Sequence, residues 1–427
     1  MAAEENYIWY PFTQMKAAAP PLHVVKAKDC TLFTADGKEY IDAISSWWVN
    51  IHGHCNETIA NAIAHQAKTL EHVIFAGFTH TPAIELSKKL ISMLPSGFAK
   101  VFFSDDGSTS VEVALKMAIQ YWHNQGEANK TTIIAFENAY HGDTFGAMSV
   151  AERNAFNAAF GPFLFQVKRL PIPNEKNIES VKEQFNAIVK TGTVAAFIFE
   201  PLVQGAAGML MYEAKYLDEL LVLAHENNVI CIADEVMTGF GRTGKNFAIG
   251  YLQNKPDIIC LSKGITGGFM PLGVTVCSQK IFDAFYADDI MKTFFHGHSY
   301  TANPLACAAA NASMEILLSE KCRQQIQFIS SSHKAFEATI SHHGFVKETR
   351  CAGTIIAIEL ATKESSSYFN NIQADACKYY LSKGVFLRPL GNIVYIMPPY
   401  CITNDELNKV YECITSSLNH FLTVRQN

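Results

Sequence analysis

The sequence predicts an α/β fold whose core is a mainly parallel sheet covered by helices on both faces. Three observations carry this. Short apolar runs recur between about Ile59 and Ile281, stretches of helical period separate most of them, and the runs are near-continuous rather than alternating. Strands buried on both faces read this way, whereas a strand with one wet face alternates.

The runs, in order, are Val101-Phe102-Phe103, Thr132-Ile133-Ile134-Ala135-Phe136, Ala195-Ala196-Phe197-Ile198-Phe199, Val229-Ile230-Cys231-Ile232-Ala233, Ile258-Ile259-Cys260-Leu261 and Gly273-Val274-Thr275-Val276. Ser110 to His123 and Ala214 to Asn227 are the clearest helices between them. Together they make a large domain over 58–303. After Asn303-Pro304 the character changes to one long helix-like segment reaching about Ser341, expected to lead away from the sheet. A smaller α+β unit follows, with strands at Thr354 to Leu360 and Ile393 to Met397, so 304–427 is a second domain. Residues 1–57, with strand-like Leu32-Phe33-Thr34 and a turn at Ala35-Asp36-Gly37, are expected to pack on that C-terminal unit. Ser365-Ser366-Ser367 reads as a minor loop, and there is no internal repeat.

A chain of 427 residues exceeds one ordinary core, and 49% hydrophobic with 17% charged residues describes a well-buried protein. The net charge of −6 provides no basic footprint for nucleic acid, which leaves small molecules as the expected partners. Eleven cysteines lie scattered, without Cys-x-x-Cys or metal-like Cys/His spacing, so no metal is expected. The polar start Met1-Ala2-Ala3-Glu4-Glu5-Asn6 and the lack of a long apolar span predict a cytoplasmic protein with no membrane segment.

The chemistry concentrates at strand ends. Lys263 follows the run ending at Leu261 and precedes Gly264, Gly267 and Gly268, while Asp234 closes a neighbouring run. A desolvated lysine amine is a nucleophile, glycines let the backbone turn away from a bulky cofactor, and an acid at the next strand end holds a pyridinium nitrogen protonated. This is the pairing that pyridoxal phosphate chemistry needs. Ser104-Asp105-Asp106-Gly107-Ser108-Thr109-Ser110 lies between a strand and a helix, a turn suited to a phosphate or to plain capping. Tyr140-His141-Gly142-Asp143 reaches the same sheet edge, where Tyr140 suits stacking on a pyridine ring and His141 reads as a satisfied structural histidine. Arg242 sits in a glycine-rich loop after Asp234, and Gly297-His298-Ser299 forms a second polar turn, a phosphate donor or a cap.

On these residues the chain resembles the class III, or ω-type, aminotransferases of fold type I along nearly its whole length. Three segments resemble a branch of that family that makes 7,8-diaminononanoate for biotin: Ile8-Trp9-Tyr10-Pro11-Phe12-Thr13-Gln14-Met15, then Ser45-Ser46-Trp47-Trp48-Val49-Asn50-Ile51-His52-Gly53-His54, and Tyr140 to Val150. The tandem tryptophans are the most specific of these. The resemblance implies that Lys263 bonds the cofactor, Asp234 pairs with its ring nitrogen, and Gly107 and Ser108 hold its phosphate. It further implies a homodimer with shared active sites, His298 and Ser299 coming from the second subunit. Trp47, Tyr140, Gly297 and Arg388 are then expected to shape the substrate site, with Phe12, Asp143 and Arg242 beside it. A guanidinium fork at Arg388 suits the carboxylate of a keto-acid acceptor.

The chain departs from the pattern at Met237, where many family members carry Gln, and at Phe12 and His298-Ser299, where well-known members of the branch carry Tyr and Pro-Thr. The amino donor therefore stays open between S-adenosylmethionine and lysine. The implied activity is amination of 8-amino-7-oxononanoate. A broader ω-aminotransferase acting on diamines or amino acids is the alternative, and a catalytically silent scaffold on the same fold is a remote one.

Overall fold

A computed structural model describes residues 7–362, 366 and 370–426 of the chain. The polar start Met1–Asn6, and Ser365 and Ser367 of the expected serine loop, lie outside the described residues.

Seven strands form the central sheet, in the order Phe98–Ser104, Gly273–Ser278, Ile258–Leu261, Ile230–Asp234, Val194–Phe199, Thr132–Phe136, Val167–Leu170. All residues of Val194–Phe199, Ile230–Asp234 and Ile258–Leu261 are buried, because helices cover both faces. Side chains divide between the faces with a period of two. Ile198, Ile232, Ile258 and Cys260 pack with Val111 and Ala114 of the helix Gly107–Asn124. Phe197, Phe199, Ala233, Ile259 and Leu261 join the larger core on the opposite side.

Strand direction places the chemistry. The five strands from Ile258–Leu261 to Val167–Leu170 run parallel, with Asp234 opposite Cys260 and Ala233 opposite Phe199. Gly273–Ser278 is antiparallel to both its neighbours, so Phe98–Ser104 runs the same way as the parallel set. The residues after Ser104, Phe136, Phe199, Asp234 and Leu261 therefore emerge at one edge, where open α/β sheets bind ligands. Val167–Leu170 has no counterpart among the predicted runs. Lys168 and Arg169 interrupt its apolar pattern, which an edge strand tolerates and a central one does not.

The predicted single helix beyond Pro304 is two helices, Pro304–Leu318 and Glu320–Ile340. Ser319 adopts extended backbone and its hydroxyl accepts from the Cys322 amide, capping the second helix. The first of the two packs on Glu57–Thr69 and Thr81–Met93 rather than leading away. Val346–Ala352, Ile355–Leu360 and Ile393–Ile396 form an antiparallel sheet. Val385–Phe386 pairs in parallel with Glu39–Asp42 of the N-terminal strands, which joins the two ends of the chain. No helix among the described residues is long and apolar enough to cross a membrane.

Two buried histidines should weaken the fold in acid. His52 Nε2 lies 2.9 Å from the Ser313 carbonyl, and His333 contacts the Tyr411 hydroxyl at 2.7 Å and the Thr354 carbonyl at 3.2 Å. Burial pushes both down to about 3 from an ordinary 6.5. A depressed folded pKa means that the stabilisation is present above 6.5 and is lost progressively as pH falls toward 3. Each histidine then removes up to ~1.4 kcal/mol of unfolding free energy per pH unit below 6.5. Urea unfolding of the parent and His333→Gln between pH 7 and 5 should show a shallower acid loss in the variant. The difference between the two isolates His333 from buried carboxyls that titrate in the opposite sense, and equal slopes would contradict the assignment.

Candidate active site

A cleft of about 470 Å³ opens at the common strand edge, lined by residues that include Trp48, Gly107, Ser108, Tyr140, His141, Glu200, Asp234, Met237 and Lys263. Segments that follow five strands of the central sheet meet here, and Trp48 and Val49 join them from the N-terminal part of the chain.

Lys263 begins the short 3-10 turn Lys263–Thr266, which Gly267 closes at φ +63°. Its own φ of +44° is unusual for a residue with a side chain and costs on the order of 1–3 kcal/mol, an expense typical of functional sites. That conformation aims Nζ over the ring of Trp48, 4.8 Å from its centroid. Burial lowers the amine below the ordinary lysine range, opposed by the nearby charges of Asp234 and Glu200. The result is an amine closer to its neutral, nucleophilic form.

Asp234 is buried, and its carboxylate is fixed from two sides. Oδ1 accepts from the Val236 amide at 3.0 Å, and Oδ2 lies 2.7 Å from His141 Nδ1. The sequence reading of His141 as a satisfied structural histidine is half right. Nδ1 is spent on Asp234, while Nε2 is buried with no hydrogen-bond partner among the described residues, and the ring lines the cleft.

Glu200 was not foreseen. It follows the all-apolar strand Val194–Phe199, just as Asp234 ends its own, and that strand-end carboxylate was the available signal. Its Oε1 accepts from the Tyr140 amide at 3.1 Å and its Oε2 from the Gly205 amide at 2.9 Å, tying two walls of the cleft. Burial raises it to about 7, with His141 pulling down and Asp234 pushing up. Glu235, also buried and raised to about 7, faces the core instead, where it accepts from Ala248, Ile249 and Thr238.

The turn at Gly107–Ser108 fits a phosphate. Asp106 and Thr109 form a capping box that occupies each other's amides, and the Gly107 and Ser108 amides remain at the helix N-terminus. A Cβ at Gly107 would meet Val236 Cγ1 at 2.6 Å, and one at Gly142 would collide with Ser108 Oγ, so both positions are built for close approach. Ser108 Oγ accepts from the Asp143 amide at 3.1 Å, which binds the Tyr140–Asp143 loop to the turn. Asp143 itself is exposed and outside the lining, and burial raises the Tyr140 phenol beside it. An anion-binding turn, a lysine amine and a fixed carboxylate on one cleft match the needs of pyridoxal phosphate.

Phe12, Trp47 and Arg388 assemble outside the lining of the cleft, Trp47 being the chain neighbour of Trp48, which does line it. The Phe12 and Trp47 rings meet edge-on at 5.5 Å, and the Arg388 guanidinium lies 4.8 Å over Trp47. Arg388 makes no ion pair among the described residues.

Other expected residues lie elsewhere. Arg242 is 1% exposed and does not line the cleft; its Nη1 and Nη2 donate to the carbonyls of Pro398 at 2.8 Å and Trp48 at 3.2 Å. A buried guanidinium needs such acceptors, so its role here is to tie segments together. Gly297 and Ser299 are exposed and His298 sits 3.2 Å from Asp105, all outside the lining of this chain's own cleft.

Residues 13–418 match the family model described as Aminotransferase class-III. The chain is 48% identical over 421 residues to the adenosylmethionine-8-amino-7-oxononanoate aminotransferase of Synechococcus elongatus, a match that covers 97% of this chain and 98% of the relative. The crystal structure of the adenosylmethionine-8-amino-7-oxononanoate aminotransferase from Methanocaldococcus jannaschii superposes with a TM-score of 0.90 at 35% identity, covering 96% and 97% of the two chains. An amine transaminase from an uncultivated Pseudomonas species, in its PLP-bound form, superposes with a TM-score of 0.91 at 30% identity, covering 98% and 99%.

Proposed function

The chain belongs to the class III aminotransferases, and from that premise we propose that it transfers an amino group to 8-amino-7-oxononanoate, forming 7,8-diaminononanoate for biotin synthesis. The observation that carries the acceptor is the Phe12–Trp47–Arg388 cluster, a guanidinium with no ion pair among the described residues that lies over Trp47, whose ring Phe12 meets edge-on. Arg388 pairs with the acceptor's carboxylate, and Phe12 and Trp47 line its alkyl chain.

Pyridoxal phosphate, when bound, supplies an electron sink for the pair left behind by a departing proton. Gly107 and Ser108 hold its phosphate with amides at the positive end of a helix. Asp234, oriented by His141 and the Val236 amide, keeps the ring nitrogen protonated. Lys263 Nζ would hold the cofactor covalently and, when freed from it, would carry the proton that leaves the substrate carbon. Trp48 covers Nζ and limits water there.

The active unit is a homodimer in the reducing cytoplasm, where the eleven cysteines stay free thiols. Ile290, Met291, Phe295 and Tyr300 are each more than half exposed around the His298–Ser299 turn, an apolar surface suited to a second copy. Through it His298 and Ser299 reach the neighbour's Gly107–Ser108 turn.

The test is a product assay with pyridoxal phosphate, 8-amino-7-oxononanoate, and either S-adenosylmethionine or lysine as donor. Mass spectrometry should find 7,8-diaminononanoate with at least one donor, and Arg388→Leu should raise KM for the acceptor by about tenfold or more. Brisk turnover of simple amines with pyruvate and no product from the oxononanoate would favour a broader ω-aminotransferase.

A further inference from the structure

The two tryptophans at the site stand on backbone that should not hold itself. Within Ser45–Trp48, Ser45, Ser46 and Trp48 have φ of +53°, +60° and +70°, and none is glycine. Each such residue costs on the order of 1–3 kcal/mol and persists only where its surroundings over-determine it.

Asp42 is the surrounding group that does so. It is fully buried at the end of the strand Glu39–Asp42. Its Oδ2 accepts from the Ser46 amide at 2.6 Å and the Ser46 hydroxyl at 3.0 Å, and its Oδ1 accepts from the Ile44 amide at 3.2 Å. His54 Nε2 lies 2.8 Å from the same Oδ2, and Asn50 Nδ2 donates to His54 Nδ1 at 2.9 Å. With Nδ1 accepting, the proton of the neutral ring sits on Nε2 and points at the carboxylate.

What this network holds is a hinge between two functions. Trp47 faces Phe12 and Arg388, while the next residue, Trp48, lies over Lys263 Nζ. A shift at Ser46 moves both rings. We propose that Asp42, oriented by His54, is a positioning residue that clamps the Ser45–Trp48 segment and thereby sets selectivity for the long-chain acceptor. This rests on the reading that the Phe12–Trp47–Arg388 cluster receives that acceptor.

His54→Gln retains a donor toward Asp42 and His54→Leu does not. In His54→Leu, KM for 8-amino-7-oxononanoate should rise about tenfold and the donor half-reaction should slow with it as Trp48 shifts over Lys263 Nζ, whereas His54→Gln should stay near the parent in both. Asp42→Asn should show the same two changes more strongly. Equal KM values in His54→Leu, His54→Gln and parent, or a fall in kcat alone, would overturn the clamp. A second readout needs no substrate. In a Trp9→Phe background, acrylamide should quench tryptophan fluorescence more readily in His54→Leu than in His54→Gln, as Trp48 loosens from its buried seat, and unchanged quenching overturns the clamp by itself. If the parent fails to aminate the oxononanoate at all, the functional reading falls, and quenching still decides the clamp.

Discussion

Replacing Lys263 by alanine should reduce turnover by on the order of 10⁴-fold or more, because one side chain both bonds the cofactor and moves the proton. The variant should fold as well as the parent. The buried amine is disfavoured where it lies, its basicity lowered by desolvation, so removing it relieves a cost instead of creating one. Alanine inherits the positive φ at position 263, and the turn closed by Gly267 is left unchanged. The expected signature is therefore an unshifted or higher melting temperature without cofactor, loss of covalently retained cofactor on gel filtration, and partial recovery of activity with a small exogenous amine. Turnover within tenfold of the parent would remove Lys263 from the mechanism.

Asp234→Asn should slow the proton-transfer step by about 10²–10³-fold or more, since a neutral amide cannot balance a ring nitrogen that carries a proton. Asn keeps the oxygen that accepts from the Val236 amide, so the backbone turn survives. On the other side its amino group faces His141 Nδ1, which then accepts, and the ring proton passes to the Nε2 that has no partner. Fold and cofactor occupancy should change little. Single-turnover measurements with an α-deuterated donor should show a larger isotope effect in the variant, as proton removal becomes the slow step. Near-parent rates would reduce Asp234 to a structural cap.

The positions of Lys263 and Asp234 were legible because Asp234 ends one short apolar run and Lys263 stands two residues past another, and parallel strands bury such runs wherever they lie in the chain. Glu200 carries the same signal, since it too stands directly after an all-apolar strand. The turn at Gly107–Ser108 was legible as a helix start, which is a local property. Val167–Leu170 was missed because Lys168 and Arg169 mask a strand that needs burial on fewer sides. The long helix from Pro304 hid its break, since Ser319 is compatible with either helix or cap until packing chooses.

By itself, then, the sequence determined what periodicity and chain-local chemistry encode: the covered parallel sheet, the strand-end lysine and acid, and the family likeness in its tryptophan segment. Tertiary structure alone decided which groups share an atom. His141 meets Asp234 across two strand ends, Arg242 spends its charge on carbonyls of distant loops, and Asp42 reaches Ser46 only because Ser45 and Ser46 take positive φ. The physical reason is range. Hydrophobic period is written in neighbouring residues, whereas the burial that shifts a pKa, orphans an imidazole nitrogen or stabilises strained backbone is a sum over groups that only the folded chain brings together.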